Sequence, residues 1–273
     1  MRPYIELTKP RITWLILMST GIGFWAGLVP GWSVAALFHT LIGTGLLASG
    51  TAVLNQWYER DTDARMNRTK GRPLPAGRVS PDRALAFGAA LALAGFLELW
   101  LAVNLLAALL GALTLATYLL AYTPLKRLSP ICTAVGALPG AMPPLIGYAA
   151  AAGKLDTQAW LLYAILFLWQ FPHFLSIAWI YREDYARGGL AMLPGQEATA
   201  GQILLSSLLL IPVSLVAGGG LVYSFAALVL GLIYFAVSVR AARQMSRARA
   251  RYLLMASVTY LPLLYMFMLL DGR

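Results

Sequence analysis

The sequence Asn55-Gln56-Trp57-Tyr58-Glu59-Arg60-Asp61-Thr62-Asp63 ends a long apolar stretch, and four cations follow it at Arg65, Arg68, Lys70 and Arg72. On a helix, residues four apart share one face, so Asn55, Glu59 and Asp63 are expected to point into the same space. One amide and two carboxylates supply the oxygen ligands that Mg²⁺ prefers, and the cations suit the phosphates that complete its coordination. The alternative is a solvated helix end whose charges pair among themselves.

The composition around this stretch excludes a soluble domain. The 273 residues are 59% hydrophobic and 12% charged, with a mean hydropathy of +0.70. Several apolar runs approach the roughly 20 residues that cross a bilayer. The sequence therefore predicts an all-α, polytopic membrane bundle with nine spans, near residues 12–30, 33–57, 84–102, 104–123, 131–152, 158–180, 203–222, 224–239 and 252–270.

The placement of positive charge predicts the orientation of this bundle. When the nine spans are threaded alternately through the bilayer, 19 of the 21 Lys and Arg fall on one side, and only Lys154 and Arg273 lie opposite. By the positive-inside rule, the N-terminus and the cation-rich loops are cytoplasmic. The net charge of +10 is thus explained by the cation-rich cytoplasmic loops of a cell-membrane protein, and no nucleic-acid partner is expected. The candidate Mg²⁺ site is expected on the cytoplasmic side.

A second acidic cluster, Tyr181-Arg182-Glu183-Asp184, follows the predicted sixth span. It lies about four spans after the first cluster, so both helices cross the membrane in the same direction. This relation predicts two four-helix halves plus one further helix, with an acidic helix end from each half facing a shared cavity. Two ordinary solvated loops of mixed charge remain the alternative.

Further candidates end the fourth span on the same side. Tyr122, Lys126 and Arg127 lie there, and both cations are expected to reach phosphate oxygens. An interfacial belt of aromatic and basic residues is the alternative interpretation.

The two histidines are expected at different depths. His173 follows Pro172 and lies ten residues before Glu183, about 15 Å deeper in the membrane. It is a candidate for lining the cavity and contacting substrate, although a lone histidine can also simply bond a neighbouring helix. His39 is expected near the outer face as a polar packing residue, and Glu98 has no expected role.

Taken together, these segments resemble the UbiA superfamily of intramembrane prenyltransferases. The resemblance spans nearly the whole chain, and one segment points to the branch of the superfamily that acts on haem. The stretches that carry it are residues 7–11, 55–63, 66–69, 72–75 and 122–127, and above all Gln170-Phe171-Pro172-His173-Phe174 through Tyr181-Arg182-Glu183-Asp184-Tyr185. Glu59 departs from the usual Asp of the first motif, and the second motif lacks a pair of Asp four apart.

The resemblance implies one catalytic domain over residues 1–273 that uses Mg²⁺. Its implied reaction joins the farnesyl group of farnesyl diphosphate to a vinyl group of haem B and adds water, which gives haem O. The implied Mg²⁺ ligands are Asn55, Glu59, Asp63 and Asp184, with Lys126 as a further catalytic residue. The implied substrate-binding residues are Arg68, Arg72, Arg127, Arg182, His173, Tyr122 and Tyr181.

Two other functions remain open from the sequence. A related prenyltransferase acting on a quinone precursor or chlorophyllide would share both acidic motifs. A haem or lipid transporter without chemistry would also have kinked spans and internal pseudo-repeats, but it would not depend on metal. The sequence also leaves open a haem A synthase or a terminal oxidase as protein partner.

Overall fold

The computed structural model describes residues 1–271, which form helices and connecting loops and contain no strand. Arg273, one of the two cations expected on the outer side, lies outside the described residues. The helices are α1 Arg2–Leu7, α2 Pro10–Ala26, α3 Val34–Arg65, α4 Pro81–Ala102, α5 Leu105–Ala116, a π-helix Thr117–Tyr122, α6 Thr123–Leu125, α7 Cys132–Gly140, α8 Met142–Ala152, α9 Thr157–Ile180, α10 Arg182–Gly188, α11 Gln196–Val216, α12 Leu221–Arg243 and α13 Arg247–Asp271.

Eight helical segments within residues 1–271 are long and apolar enough to cross a membrane. They include Leu105–Leu125, which continues from α5 through the π-helix into α6, and Cys132–Ala152, which joins α7 and α8. The predicted first span coincides with α2, which has only 17 residues. The all-helical membrane architecture is therefore confirmed, with eight clear spans in the described part of the chain.

Helix α3 is long enough to carry its last turns beyond the apolar layer. Its 32 residues extend about 48 Å at 1.5 Å per residue, against a hydrocarbon core of about 30 Å. The side chain of Ser33 caps its start by accepting a hydrogen bond from the Ala36 N–H at 3.1 Å. The helix continues to Arg65, past the predicted end of the span at residue 57, so Glu59 and Asp63 lie on regular helix.

Proline affects the fifth and sixth spans differently. The fifth span is interrupted at Ala141, between α7 and α8. Pro143 and Pro144 follow this interruption, where their missing N–H groups have no intrahelical acceptor to lose. In the sixth span, α9 runs continuously through Pro172.

Helices α2 and α8 approach so closely that both need glycine at the contact. A Cβ atom on Gly23 would collide with the Pro144 carbonyl, and one on Gly147 would collide with the Thr20 carbonyl. Small residues let membrane helices pack backbone to backbone. This contact fixes α2 against the bundle, and therefore fixes the position of the residues that precede α2.

Candidate active site

The three predicted residues of α3 line one cavity of about 430 Å³. Asn55, Glu59 and Asp63 are all buried, because this face of α3 turns inward where the helix leaves the apolar layer. The Asn55 amide donates a hydrogen bond to the Thr123 hydroxyl at 3.2 Å. We call this space the α3 cavity.

Both carboxylates of the α3 cavity are paired with cations. The Lys126 ammonium lies 2.9 Å from Glu59 Oε1, and the two side chains are 9% and 11% exposed. Arg72 Nη1 lies 2.6 Å from Asp63 Oδ2. Because these groups are almost fully removed from water, leaving either carboxylate without its partner would be costly.

Lys126 is held over the cavity by an irregular helix. Residues Thr117–Tyr122 form a π-helix just before Pro124, which can donate no backbone hydrogen bond and crowds the preceding turn. Such π-helical turns often occur at functional sites. The Lys126 ammonium lies 4.3 Å from the ring centroid of Tyr122 and 5.7 Å from that of Tyr118. The rings and Glu59 together orient this cation into the cavity.

Lys9 also lines the α3 cavity, and the sequence analysis did not select it. Its backbone is left-handed, with φ 49° and ψ 60°, a conformation that costs free energy for a residue with a side chain. Burial and the nearby charges of Arg72 and Lys126 together lower the pKa of Lys9 to about 7, against the opposing effect of Glu59 and Asp63. Two sequence signals pointed to Lys9: its position directly before the proline that starts α2, and its place within residues 7–11, one of the stretches that carry the family resemblance.

Asp184 lies outside the α3 cavity and binds the loop that follows α3. Its carboxylate accepts hydrogen bonds from the backbone N–H groups of Asn67 and Arg68, each at 3.1 Å. Arg187 donates to the same carboxylate. Burial alone would raise the pKa of Asp184, but the hydrogen bonds from Arg187 and the two backbone N–H groups outweigh it and hold the pKa below its usual value. Asp184 therefore fixes the start of the segment that carries Arg68 and Arg72.

Arg68 stands at the boundary between the α3 cavity and a second cavity, and it lines both. Its guanidinium lies 5.0 Å from the ring centroid of Tyr181 and 5.8 Å from that of Tyr185. Tyr181 and Arg182 line only the second cavity. The predicted substrate-binding residues are thus divided between two adjacent spaces.

Two other predicted residues lie away from both cavities. The Arg127 guanidinium donates to the Thr62 hydroxyl. The His173 ring lies 2.8 Å from the Ser257 hydroxyl through Nδ1 and stacks on Trp169 with centroids 4.7 Å apart. The structure therefore places His173 between α9 and α13, and does not bring it to the wall of the α3 cavity.

The α3 cavity is polar at one end and apolar at the other. Besides the charged groups, its wall includes Ile12, Met66, Phe174, Ile177, Leu190 and Met192. A ligand with an anionic head and an apolar tail matches this division, since the cations face one end and the hydrocarbon side chains face the other.

The residues of α3 fit a hard divalent cation. Within residues 1–271, no three His, Cys, Asp or Glu side chains are grouped closely enough to hold a metal alone. Mg²⁺ does not need such a group, because one or two carboxylates plus substrate phosphates are its usual ligands. Asn55, Glu59 and Asp63 offer this oxygen set, next to cations that suit phosphate.

Comparison with known proteins places the chain in a family. Residues 14–268 match the UbiA prenyltransferase family, and the chain belongs to that family. Its curated relatives include a protoheme IX farnesyltransferase of Solibacter usitatus, 59% identical over 99% of both chains. Another protoheme IX farnesyltransferase, from Koribacter versatilis, is 45% identical over 99% of this chain and 93% of its own. The chain is thus a membrane-embedded UbiA-type prenyltransferase.

Solved structures agree on the fold. A structure described as giving insights into the biosynthesis of digeranylgeranylglyceryl phosphate synthase in membranes has a TM-score of 0.79 at 16% identity, covering 99% of this chain and 98% of its own. A UbiA homologue from Archaeoglobus fulgidus, bound to GPP and Mg²⁺, has a TM-score of 0.70 at 15% identity, covering 97% and 99%. These likenesses establish a shared helical architecture.

Proposed function

We propose that this protein transfers the farnesyl group of farnesyl diphosphate to a vinyl group of haem B, with addition of water, and so forms haem O. The observation that carries the acceptor assignment is the 59% identity, over 99% of both chains, to a protein named protoheme IX farnesyltransferase. The α3 cavity supports the donor assignment, because it combines carboxylates, cations and an apolar wall.

The proposed donor site uses the polar end of the α3 cavity for the diphosphate. Lys126, Arg72, Arg68 and Lys9 face it and would bind the phosphate oxygens. Arginine binds them through its planar fork and lysine as a compact charge. The farnesyl chain would extend along the apolar wall. Tyr122 lines the same cavity, whereas Arg127 would act from its contact with Thr62.

Asn55, Glu59 and Asp63 would hold Mg²⁺, whose charge stabilises the departing diphosphate when it is bound. The shared fold supports the assignment of Mg²⁺, since one UbiA homologue was solved with GPP and Mg²⁺ bound. Asp184 was expected from the sequence to be a further ligand. In this structure its carboxylate binds two backbone N–H groups and Arg187, so ligation by Asp184 would require those bonds to break.

The reaction proceeds by cleavage of the bond between farnesyl C1 and the diphosphate oxygen. The cations of the site stabilise the negative charge that develops on the leaving group. The allylic carbocation forms a carbon–carbon bond with the terminal vinyl carbon of haem. This leaves a cation on the carbon next to the pyrrole ring, where a water oxygen adds and a proton is released. The apolar wall of the cavity keeps water from the allylic carbocation until it has reacted.

We further propose that residues 1–273 form a single catalytic domain with nine spans, of which α2 is the shortest. The N-terminus and the α3 cavity would face the cytoplasm, as the charge distribution predicts. His173 would contact the acceptor only if its ring left Ser257, because in this structure it lies away from both cavities. Because haem O is a cofactor precursor, a haem A synthase or terminal oxidase is the proposed recipient.

The test is to incubate detergent-purified protein with haem B, farnesyl diphosphate and Mg²⁺, and to look by mass spectrometry for haem carrying farnesyl plus water. Asp63→Asn and an EDTA sample should give far less product than the wild type, whereas Asp61→Asn should stay active because Asp61 is 74% exposed. If the farnesyl group were transferred to a phenolic acceptor and not to haem, the protein would instead be a prenyltransferase that acts on a quinone precursor. Haem binding without transfer would indicate a carrier.

A further inference from the structure

The second cavity, of about 730 Å³, is rich in arginine and shares only Arg68 with the donor site described above. It lies between α10 and the start of α13 and is lined by Arg68, Arg182, Arg187 and Arg247. We call it the arginine cavity. Among the residues that line the arginine cavity, only Glu183 and Asp184 carry carboxylates.

Those carboxylates leave positive charge unbalanced. Asp184 is occupied by Arg187 and two backbone N–H groups. Glu183 is 78% exposed and lies 4.0 Å from Arg182, a separation at which a solvated pair contributes little. Arg247 makes no ion pair with any residue in the described part of the chain. Four arginines against two carboxylates therefore give the cavity an excess of positive charge.

Two further features of the arginine cavity favour an anion. Ser246 accepts a hydrogen bond from the Arg249 N–H at 3.2 Å and so caps α13. Ser246 and Arg247, at the start of this 25-residue helix, both line the cavity. The Trp179 indole N–H is buried and has no acceptor within residues 1–271, and Trp179 lines the cavity.

The two cavities meet at Arg68, which lines both. A flat acceptor bound in the arginine cavity would therefore lie next to the α3 cavity, beside Trp179 and Tyr181, which line the arginine cavity. In haem B the two propionates are attached to one edge of the porphyrin and the vinyl groups lie away from them. Anchoring the propionate edge would thus direct the vinyl groups toward the donor.

We propose that the arginine cavity binds the propionate carboxylates of the haem acceptor, with Arg247 and Arg182 as their partners, while the vinyl groups face the α3 cavity. This inference rests on the proposed function. It assigns acceptor recognition to a site separate from the diphosphate site, and it makes Arg247 a residue that determines acceptor specificity.

The test compares haem B with its dimethyl ester, in which both propionates are neutral, by absorbance titration of the full-length protein in detergent. Wild-type protein should bind haem B roughly tenfold more tightly than the ester, since charge-assisted hydrogen bonds are lost. Arg247→Gln should remove most of this preference and leave ester binding unchanged. The matched control is Arg251→Gln, which removes the same charge from an exposed position on α13 outside the cavity.

Kinetics give a second readout. Arg247→Gln should raise the KM for haem B and leave the KM for farnesyl diphosphate unchanged. The proposal would be overturned if Arg247→Gln weakened the binding of haem B and of its dimethyl ester equally. It would also be overturned if Arg251→Gln had the same effect as Arg247→Gln. Haem binding that responds to Arg247→Gln only in nanodiscs containing anionic lipid would overturn it too, because the cavity would then bind a lipid phosphate. If wild-type protein never farnesylates haem, the proposed function fails, but the binding titrations still decide the anion site.

Discussion

The Glu59–Lys126 pair predicts that Lys126→Met increases the affinity of the substrate-free protein for Mg²⁺. In the wild-type chain the ammonium lies 2.9 Å from a Glu59 oxygen, and both side chains are nearly buried. A divalent cation that uses Glu59 as a ligand must therefore compete with Lys126 for this carboxylate. Removing the ammonium removes that competition and leaves a carboxylate in need of a partner.

The size of the effect follows from the burial of the pair. Breaking a buried ion pair by removing one partner costs about 3–5 kcal/mol. Because Glu59 faces a cavity that water can enter, we expect about 2 kcal/mol. The variant should lose that much stability without metal, and it should bind Mg²⁺ roughly 30-fold more tightly than the wild type.

The assay is thermal unfolding in detergent during a MgCl₂ titration at constant ionic strength, without diphosphate. A ligand that binds only the folded state raises the unfolding temperature according to its concentration relative to Kd. Arg127→Gln is the matched control, because it removes a neighbouring charge that contacts Thr62 and not a carboxylate. If Lys126→Met, Arg127→Gln and wild type respond equally to Mg²⁺, Glu59 is not a metal ligand and the reasoning is wrong.

Three other predictions concern the α3 cavity and the loop that Asp184 binds. Asp63→Asn should lower kcat/KM by roughly 100-fold through loss of charge stabilisation at the leaving group, while Asp61→Asn should not; equal losses would contradict the placement. Lys9, with a pKa of about 7, becomes charged as the pH falls from 8 to 6, so farnesyl diphosphate affinity should rise relative to Lys9→Arg, which stays charged throughout. Without substrate, the lowered pKa of Lys9 makes the free energy of unfolding decrease as the pH falls from 10.5 toward 7. In this range the unfolded chain binds a proton at Lys9 that the folded chain does not bind. Asp184→Asn should speed hydrogen exchange in residues 66–72 and raise the KM for farnesyl diphosphate; unchanged exchange would show that Asp184 does not hold this loop.

The helical architecture and the α3 face could be predicted because both depend on local patterns. Apolar runs of about 20 residues have few alternatives to a membrane helix, and a four-residue spacing places Asn55, Glu59 and Asp63 on one face wherever that helix lies. The length of α3 was harder to predict from the sequence, since its last turns are polar and lack the hydrophobic pattern that marks a membrane span.

The partners of these side chains could not be predicted, because they come from distant parts of the chain. Glu59 and Lys126 are 67 residues apart, and His39 Nδ1 lies 2.7 Å from Glu98 across a separation of 59 residues. Likewise, Asp184 reaches the N–H of Arg68 across 116 residues. Such contacts depend on how the helices pack, which the order of hydrophobic residues does not specify.

The pairing of Glu59 with Lys126 and of Asp63 with Arg72 gives the α3 cavity a balanced charge before any ligand arrives. When Glu59 and Asp63 turn to a divalent cation, they release two cationic side chains, and a diphosphate can then bind both the cation and those side chains. Either ligand alone would leave one set of buried charges without partners. Binding of Mg²⁺ and of diphosphate should therefore be strongly cooperative.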